Sequence, residues 1–141
     1  MKDYIVVPLS GYNSTSRYKA EVRIVSPGSA RQRFTQHNHC FVGISLDSPS
    51  FLGSKLQAII DYVSKNFENC TFLLGDHVHR MTLRIRKNLD LEQCYYHALG
   101  LGDYYLRTQK HLLRHKDTGK AFPIIRGSDI HQLQEVKAYL E

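Results

Sequence analysis

The hydrophobic pattern of the chain predicts short strands that alternate with helices. Apolar runs predict strands at residues 4–9, 41–44, 71–74 and 122–125, and strict alternation predicts a half-exposed strand at Tyr18–Ile24. Pro8 makes the first of these an edge strand, because proline cannot donate to an interior ladder. Apolar residues at helical spacing predict helices over 56–67, from near Asp90, over 103–116 and over 130–140.

The order of strand, helix and strand between residues 41 and 74 is typical of a βαβ unit. The two strands of such a unit are parallel, so their carboxyl ends meet at one edge of the sheet, where ligands of open α/β sheets bind. Ser45 ends the first strand, and Asp76, His77 and His79 follow the second. We therefore expect an α/β fold with a parallel sheet, flanking helices and these side chains on one rim.

Composition limits the classes of protein to consider. With 141 residues and 42% hydrophobic content, residues 1–141 are expected to form a single domain with its own core. The apolar runs are far too short to span a membrane, and the first residues lack a secretory apolar segment, so we expect a cytoplasmic protein. Cys40, Cys70 and Cys94 are widely spaced without a CxxC pair, which favours small buried side chains.

The net charge of +6 and the isoelectric point near 9.3 favour polyanions as partners. Four cations lie within the predicted helix over residues 103–116, where basic residues at steps of three and four would form a stripe. Two interpretations stay open, a solvated helix face and a track for a phosphate backbone. The four residues are Arg107, Lys110, Arg114 and Lys116.

Three kinds of chemistry are compatible with these residues. Ser45 at a strand-to-helix turn is placed as an acyl-transfer nucleophile, although Asp47 stands where the GxSxG motif of a serine hydrolase needs glycine. A metal site from His37, His39, Cys40, Asp76, His77 and His79 shows no ligand quartet of established spacing, so we expect neither metal nor cofactor. A non-catalytic RNA-binding module is supported by charge alone, since the common recognition motifs are missing.

Several motifs resemble the tRNA-dependent cyclodipeptide synthases. Gly43-Ile44-Ser45 is followed by Ser48-Pro49-Ser50-Phe51, a helix and the stretch FLLGDHVHRMTL, which we interpret as a strand. A basic helix, a short strand and the tripeptide SDI opening another helix follow in the order of that family. The resemblance implies a Rossmann-like domain related to the catalytic domains of class I aminoacyl-tRNA synthetases.

The resemblance also implies roles for individual residues. Ser45 would take an aminoacyl group from a charged tRNA, a second aminoacyl-tRNA would complete a cyclic dipeptide, and Gly43 matches the glycine beside the acceptor serine. Ser48 stands where one subfamily has asparagine, which points to the other subfamily. The candidate substrate-binding residues are Phe41 and Leu73, which map onto the pocket for the first side chain, with Ser48 and Asp76. The candidate tRNA-binding residues are Arg107, Lys110, Arg114 and Lys116.

The resemblance covers most of the 141 residues but only the first part of a typical member. The later Tyr-xxx-Glu segment of the family and its following tyrosine have no counterpart before Glu141. We expect a truncated synthase or a shortened relative, an aminoacyltransferase with aminoacyl-tRNA as its partner and a monomer as its favoured state. The alternative is a non-catalytic basic domain that binds tRNA or other RNA.

Overall fold

A computed structural model describes residues 2–8, 18–36 and 38–132 of the chain. Its strands are β1 (Lys2–Pro8), β2 (Tyr18–Ile24), β3 (His39–Ile44), β4 (Asn69–Leu74) and β5 (Ile124–Arg126). Its helices are α1 (Gly53–Asn66), α2 (Asp76–Lys87), α3 (Leu91–Gln109) and α4 (Gly127–Gln132), joined in places by short 3-10 turns.

The strands form two sheets. β1 and β2 pair antiparallel, and β3, β4 and β5 form a parallel sheet in that order. The prediction of an α/β fold with a parallel sheet and flanking helices is therefore confirmed. β5 begins two residues later than predicted, because Phe122 is buried and bonds through its backbone N–H to Leu113 O.

The chain divides into two compact units, and the single-domain prediction for residues 1–141 stays a prediction. The first unit contains Met1–Cys40, Pro49–Cys70 and His111–Phe122. In it α1 buries the apolar positions that the helical spacing predicted, namely Leu56, Ile59, Ile60 and Val63. Each such side chain contributes about 1.5–3 kcal/mol when it leaves water.

The helix predicted over residues 103–116 is wrong in its second half, because α3 ends at Gln109. In the segment that follows, Leu113 is buried, His115 Nε2 lies 3.3 Å from Phe67 O, and the Lys116 N–H donates to Ser64 Oγ at 3.1 Å. These contacts hold residues 113–116 in a non-helical conformation. Tertiary burial has overridden the local helical pattern.

The second unit contains Phe41–Ser48, Thr71–Lys110 and Pro123–Glu141. α2 packs against α3 around Leu83, Cys94 and Ala98, all buried. α3 begins with the predicted cap, since Asp90 Oδ1 accepts from the Gln93 N–H at 2.8 Å and the Gln93 side chain accepts from the Asp90 N–H. This reciprocal capping box satisfies two backbone donors at the start of the helix.

Two further predictions in the second unit need correction. Residues 76–83 form the start of α2 and not a strand, since His79 and Leu83 are buried at helical spacing. The separate helices predicted from near Asp90 and over residues 103–116 are wrong, because α3 continues without a break through Gly102. A Cβ atom there would lie 2.6 Å from Arg126 Nη2, so the missing side chain allows the guanidinium to approach. Of the helix predicted over residues 130–140, α4 covers the beginning, and residues 133–140 lie outside the described residues.

None of the helices in the described ranges has the length and the apolar composition needed to cross a membrane.

Candidate active site

A cavity of about 500 Å³ lies at the carboxyl ends of β3 and β4, and all its lining residues belong to the second unit. It brings together three of the predicted site residues, Gly43, Ser45 and Leu73. His79 lines the same cavity, which confirms the prediction that it shares a rim with Ser45. α4 closes part of the wall with Ile130. The sequence therefore located the cavity correctly from the two strand ends.

Ser45 is exposed at the end of β3. Its Oγ accepts one long hydrogen bond, from the Asp47 N–H at 3.4 Å. The strand end is held by the Gly75 N–H, which donates to Ile44 O at 2.9 Å. Gly43 lies two positions before Ser45 and so on the same face of β3. A Cβ atom there would meet nothing within 4 Å in the described part of the chain, so a reactant has room to reach the serine hydroxyl.

α2 presents a polar stripe toward the turn that follows Ser45. His79, Thr82 and Arg86 recur at steps of three and four residues, which places them on one helix face. Arg86 pairs with Asp47, with Nη1 at 3.1 Å from Oδ1 and 3.0 Å from Oδ2. The stripe therefore reaches the turn at one end and the cavity at the other.

His79 is 8% exposed and lies one turn into α2, where its backbone N–H donates to Gly75 O at 3.2 Å. Burial lowers the pKa of its imidazole, and the nearby Arg86 lowers it further against the opposing effect of Asp47. These surroundings favour the neutral form of the ring. His77, also predicted on this rim, does not line the cavity, and its ring packs edge-on against Tyr95 at a centroid distance of 6.4 Å.

Asp76 is fully buried at the start of α2. Its Oδ1 accepts from the backbone N–H groups of His77 at 2.7 Å and Ser128 at 2.9 Å. Its Oδ2 accepts from Arg126 Nε and Ser128 Oγ, both at 2.8 Å. One carboxylate thus connects the first turns of α2 and α4 to the last residue of β5.

Arg126 extends this network to α3. Its Nη2 donates to Leu99 O at 3.0 Å, and its Nη1 pairs with Asp103. Burial alone raises the pKa of Asp76, but the hydrogen bonds from Arg126, Ser128 and His77 outweigh it and hold the pKa below its usual range. Burial lowers the pKa of Arg126, and its two carboxylate partners raise it above the ordinary value. Asp76 and Arg126 are therefore an ionised pair.

The sequence analysis missed Arg126, Ser128 and Asp103 as partners of Asp76. Arg126 stands 50 positions after Asp76 and 23 after Asp103, so no local pattern links them. Asp76 itself was predicted to bind substrate, and that role stays a prediction. Its oxygens already accept four hydrogen bonds, which is the arrangement of a group that positions other residues.

Two other predicted substrate residues lie outside the cavity lining. Phe41 is 62% exposed, and Ser48 is half-buried with its N–H donating to Ser45 O at 3.4 Å. Their roles stay predictions.

The four predicted tRNA-binding cations do not form one helical stripe, because α3 ends before three of them. Arg107 is exposed on α3 with its Cζ 5.5 Å from the Tyr104 ring, and Lys110 follows the helix in a 3-10 turn. In the first unit, Arg114 Nη1 donates to Gly119 O at 3.2 Å and Lys116 pairs with Asp61. The prediction of a single helical stripe is therefore wrong, and contact with tRNA stays a prediction for each of the four residues.

Within the described ranges there is no group of three or more His, Cys, Asp or Glu side chains that could hold a metal ion. Of the metal-site candidates, His37 lies outside the described residues. A larger cavity of about 650 Å³ in the first unit is lined from β2 and α1 and includes Asp61, whose carboxylate is paired with Lys116. Ser45 does not line it, so we place the site in the second unit.

Comparison with known proteins finds relatives by structure. No protein-family model and no curated protein matches the chain. A CDPS from Fluoribacter dumoffii matches with a TM-score of 0.69 and 28% identity over 86% of this chain. AlbC, a cyclodipeptide synthase from Streptomyces noursei, matches with a TM-score of 0.54 and 17% identity over 72%. A Mycobacterium tuberculosis protein, whose structure relates cyclodipeptide synthetases to type I tRNA synthetases, matches with a TM-score of 0.54 and 18% identity over 75%.

This chain spans about half the length of the structures it matches, 53%, 48% and 45% of the three proteins in that order. The two more distant matches show the fold, and the Fluoribacter dumoffii protein adds similarity in sequence. The resemblance predicted from the motifs is thereby confirmed, and over about half the length of those proteins this chain has the fold of a cyclodipeptide synthase.

Proposed function

We propose that the second unit is the acyl-accepting part of an aminoacyltransferase that uses aminoacyl-tRNAs to make a cyclic dipeptide. The observation that carries the proposal is the exposed Ser45 hydroxyl in a cavity at the carboxyl edge of a parallel sheet whose fold matches cyclodipeptide synthases. A serine hydroxyl that accepts a single long hydrogen bond keeps its proton and one lone pair for a reactant.

In the proposed first step, Ser45 Oγ attacks the carbonyl carbon of the ester that joins an amino acid to the ribose of tRNA. The bond to the ribose oxygen breaks, the serine proton goes to that oxygen, and the tRNA leaves with a free hydroxyl. In the second step, the amine of the aminoacyl-serine attacks the ester carbonyl of another aminoacyl-tRNA. The bond to the ribose oxygen breaks, that oxygen takes the amine proton, the second tRNA leaves, and a dipeptidyl group remains on Ser45. The free amine of this dipeptide then attacks the serine ester carbonyl, the bond to Oγ breaks, and Oγ takes the proton as the cyclic dipeptide is released.

Cations on two helices of the second unit support tRNA as the carrier. Arg84 and Lys87 are exposed in the last turn of α2, and Arg107 is exposed in the last turn of α3. Contacts of lysine and arginine with phosphates release bound counterions, so such residues give affinity for any tRNA without reading its sequence.

The proposal is tested by incubating the 141-residue chain with a set of charged tRNAs and measuring its intact mass. We expect an alkali-labile aminoacyl adduct that disappears in Ser45→Ala, because alanine has no nucleophilic oxygen. Ser29→Ala is the control, since it removes an exposed serine hydroxyl outside the cavity lining, and its adduct should persist. A chain that forms no adduct with any aminoacyl-tRNA would overturn the proposal.

The second candidate function is a non-catalytic basic domain that binds RNA, and the net charge of +6 favours it. It predicts affinity for tRNA that falls steeply with salt, with no difference between charged and uncharged tRNA. Salt-dependent binding without an adduct would favour this candidate.

A further inference from the structure

The wall of the cavity beside Ser45 is mainly apolar. Leu73, Val78 and Ile130 line it from β4, α2 and α4, and two further aliphatic lining residues, Ile44 and Leu74, are almost fully buried. Such a wall favours an apolar aminoacyl side chain, because burying its surface removes it from water.

Two polar side chains on α2 interrupt this wall. His79 and Thr82 stand three positions apart on one helix face, and both line the cavity. No side-chain hydrogen bond joins the His79 imidazole to any residue that the structure describes, and the same holds for the Thr82 hydroxyl. Both groups therefore have hydrogen-bonding capacity to offer a molecule in the cavity.

The charges around the cavity disfavour ionised side chains. Asp47, which carries a carboxylate into the lining, is paired with Arg86 at 3.0 Å, so it is not available to balance a cationic side chain. Arg86 is engaged in the same pair and cannot balance an anionic one. An ionised side chain among these aliphatic residues would lose its hydration without a partner.

We propose that His79 and Thr82 form a recognition patch that selects, for transfer to Ser45, an uncharged and largely apolar aminoacyl side chain carrying one hydrogen-bonding group. The proposal rests on the proposed acyl transfer to Ser45. A side chain with a hydroxyl can form hydrogen bonds with the patch, whereas the isosteric hydrocarbon leaves the buried His79 imidazole and the half-buried Thr82 hydroxyl without a bonding partner. Sites built to bond a hydroxyl discriminate strongly against the analogue that lacks it.

The test compares two aminoacyl groups on one tRNA body, so that only the side chain differs. The same tRNA is charged with tyrosine or phenylalanine by an acylating ribozyme, and threonine and valine form a second pair. Rates of adduct formation on the wild-type chain are followed by intact mass. We expect the hydroxyl-bearing member of at least one pair to transfer at least about tenfold faster.

Variants then assign the preference to the patch. His79→Phe combined with Thr82→Val keeps the size of both side chains and removes their hydrogen-bonding groups. The ratio of the transfer rates of the hydroxyl-bearing and the hydrocarbon member of a pair should therefore fall to about one. His79→Gln keeps such a group and should retain most of the preference. His111→Phe, which alters an exposed histidine outside the cavity lining, is the matched control and should leave the ratio of the two rates unchanged.

Each outcome bears on a different claim. Equal rates within both pairs on the wild type would overturn the recognition proposal and leave acyl transfer standing, as would faster transfer of arginine or lysine. A preference that survives the double variant would overturn the assignment to His79 and Thr82. If none of these four aminoacyl groups formed an adduct while others did, the cavity would select another class of side chain, and the recognition proposal would be overturned. No adduct with any aminoacyl-tRNA would overturn the underlying function, and the recognition proposal with it.

Discussion

Two polar residues follow adjacent parallel strands of the second unit and have opposite surroundings. Asp76 follows β4, is fully buried and accepts four hydrogen bonds from three residues. Ser45 directly follows β3, is exposed and accepts one hydrogen bond at 3.4 Å. All four hydrogen bonds of the carboxylate are made to residues of the fold, whereas the hydroxyl proton remains available to a reactant.

At this edge of the sheet, Asp76 holds structural elements together, and Ser45 is the candidate for the chemistry. Asp76 joins α2, β5 and α4, and Arg126 continues the connection to α3. α2 and α4 in turn supply His79 and Ile130 to the cavity wall. Loss of Asp76 should therefore lower stability first, and loss of Ser45 should abolish the proposed acyl transfer without lowering stability.

Asp76→Asn gives the largest expected effect on stability. The amide cannot form an ion pair with the Arg126 guanidinium, which then keeps only the exposed Asp103 as a charge partner, so the free energy of unfolding should fall by about 3 kcal/mol. Urea unfolding monitored by circular dichroism measures the change. Asp129→Asn is the matched control, because it alters an exposed carboxylate on α4 and should change stability by less than about 0.5 kcal/mol.

The pH dependence of stability sharpens the same contrast. The folded pKa of Asp76 lies below its unfolded value of about 3.9, so the folded state binds fewer protons than the unfolded state in that range. The contribution of the ionised Asp76 to the free energy of unfolding is fully present above the unfolded pKa, and it is lost as the pH falls through the folded pKa. The difference in unfolding free energy between wild type and Asp76→Asn should be constant from pH 7 to about pH 5 and shrink in stronger acid. A difference already shrinking at neutral pH would contradict an ionised, stabilised carboxylate.

The smallest effect is expected on the Ser45 side, at the Arg86–Asp47 pair. Both side chains are substantially exposed, at 64% and 41%, so solvent and salt screen their attraction. Arg86→Gln should lower the free energy of unfolding by no more than about 1 kcal/mol. A loss as large as that of Asp76→Asn would show that the turn after Ser45 is part of the structural support.

The elements that local patterns specify were predictable from the sequence. The apolar positions of α1, the end of β3 at Ser45 and the cap at Asp90 each depend on residues within a few positions of one another. The parallel arrangement followed from the connection rule for βαβ units. These features placed Gly43, Ser45 and Leu73 at one cavity.

The remaining features depend on contacts between distant residues. The histidines of the 76–80 stretch alternate as in a strand, yet the burial of His79 and Leu83 follows a helix packed on α3. Arg114 and Lys116 seemed to continue a helix, but burial of Leu113 and hydrogen bonds of residues 115 and 116 to the α1 region fix another course. The Asp76–Arg126 pair spans 50 positions and left no local signal.

The most direct measurement locates the aminoacyl group on the protein. The chain is incubated with a reactive aminoacyl-tRNA, digested at acidic pH to preserve esters, and mapped by tandem mass spectrometry. The account predicts a single ester-linked aminoacyl group on Ser45. An adduct on Ser48, on a lysine amine or on any residue outside the cavity would contradict the claim that the Ser45 hydroxyl is the acyl acceptor.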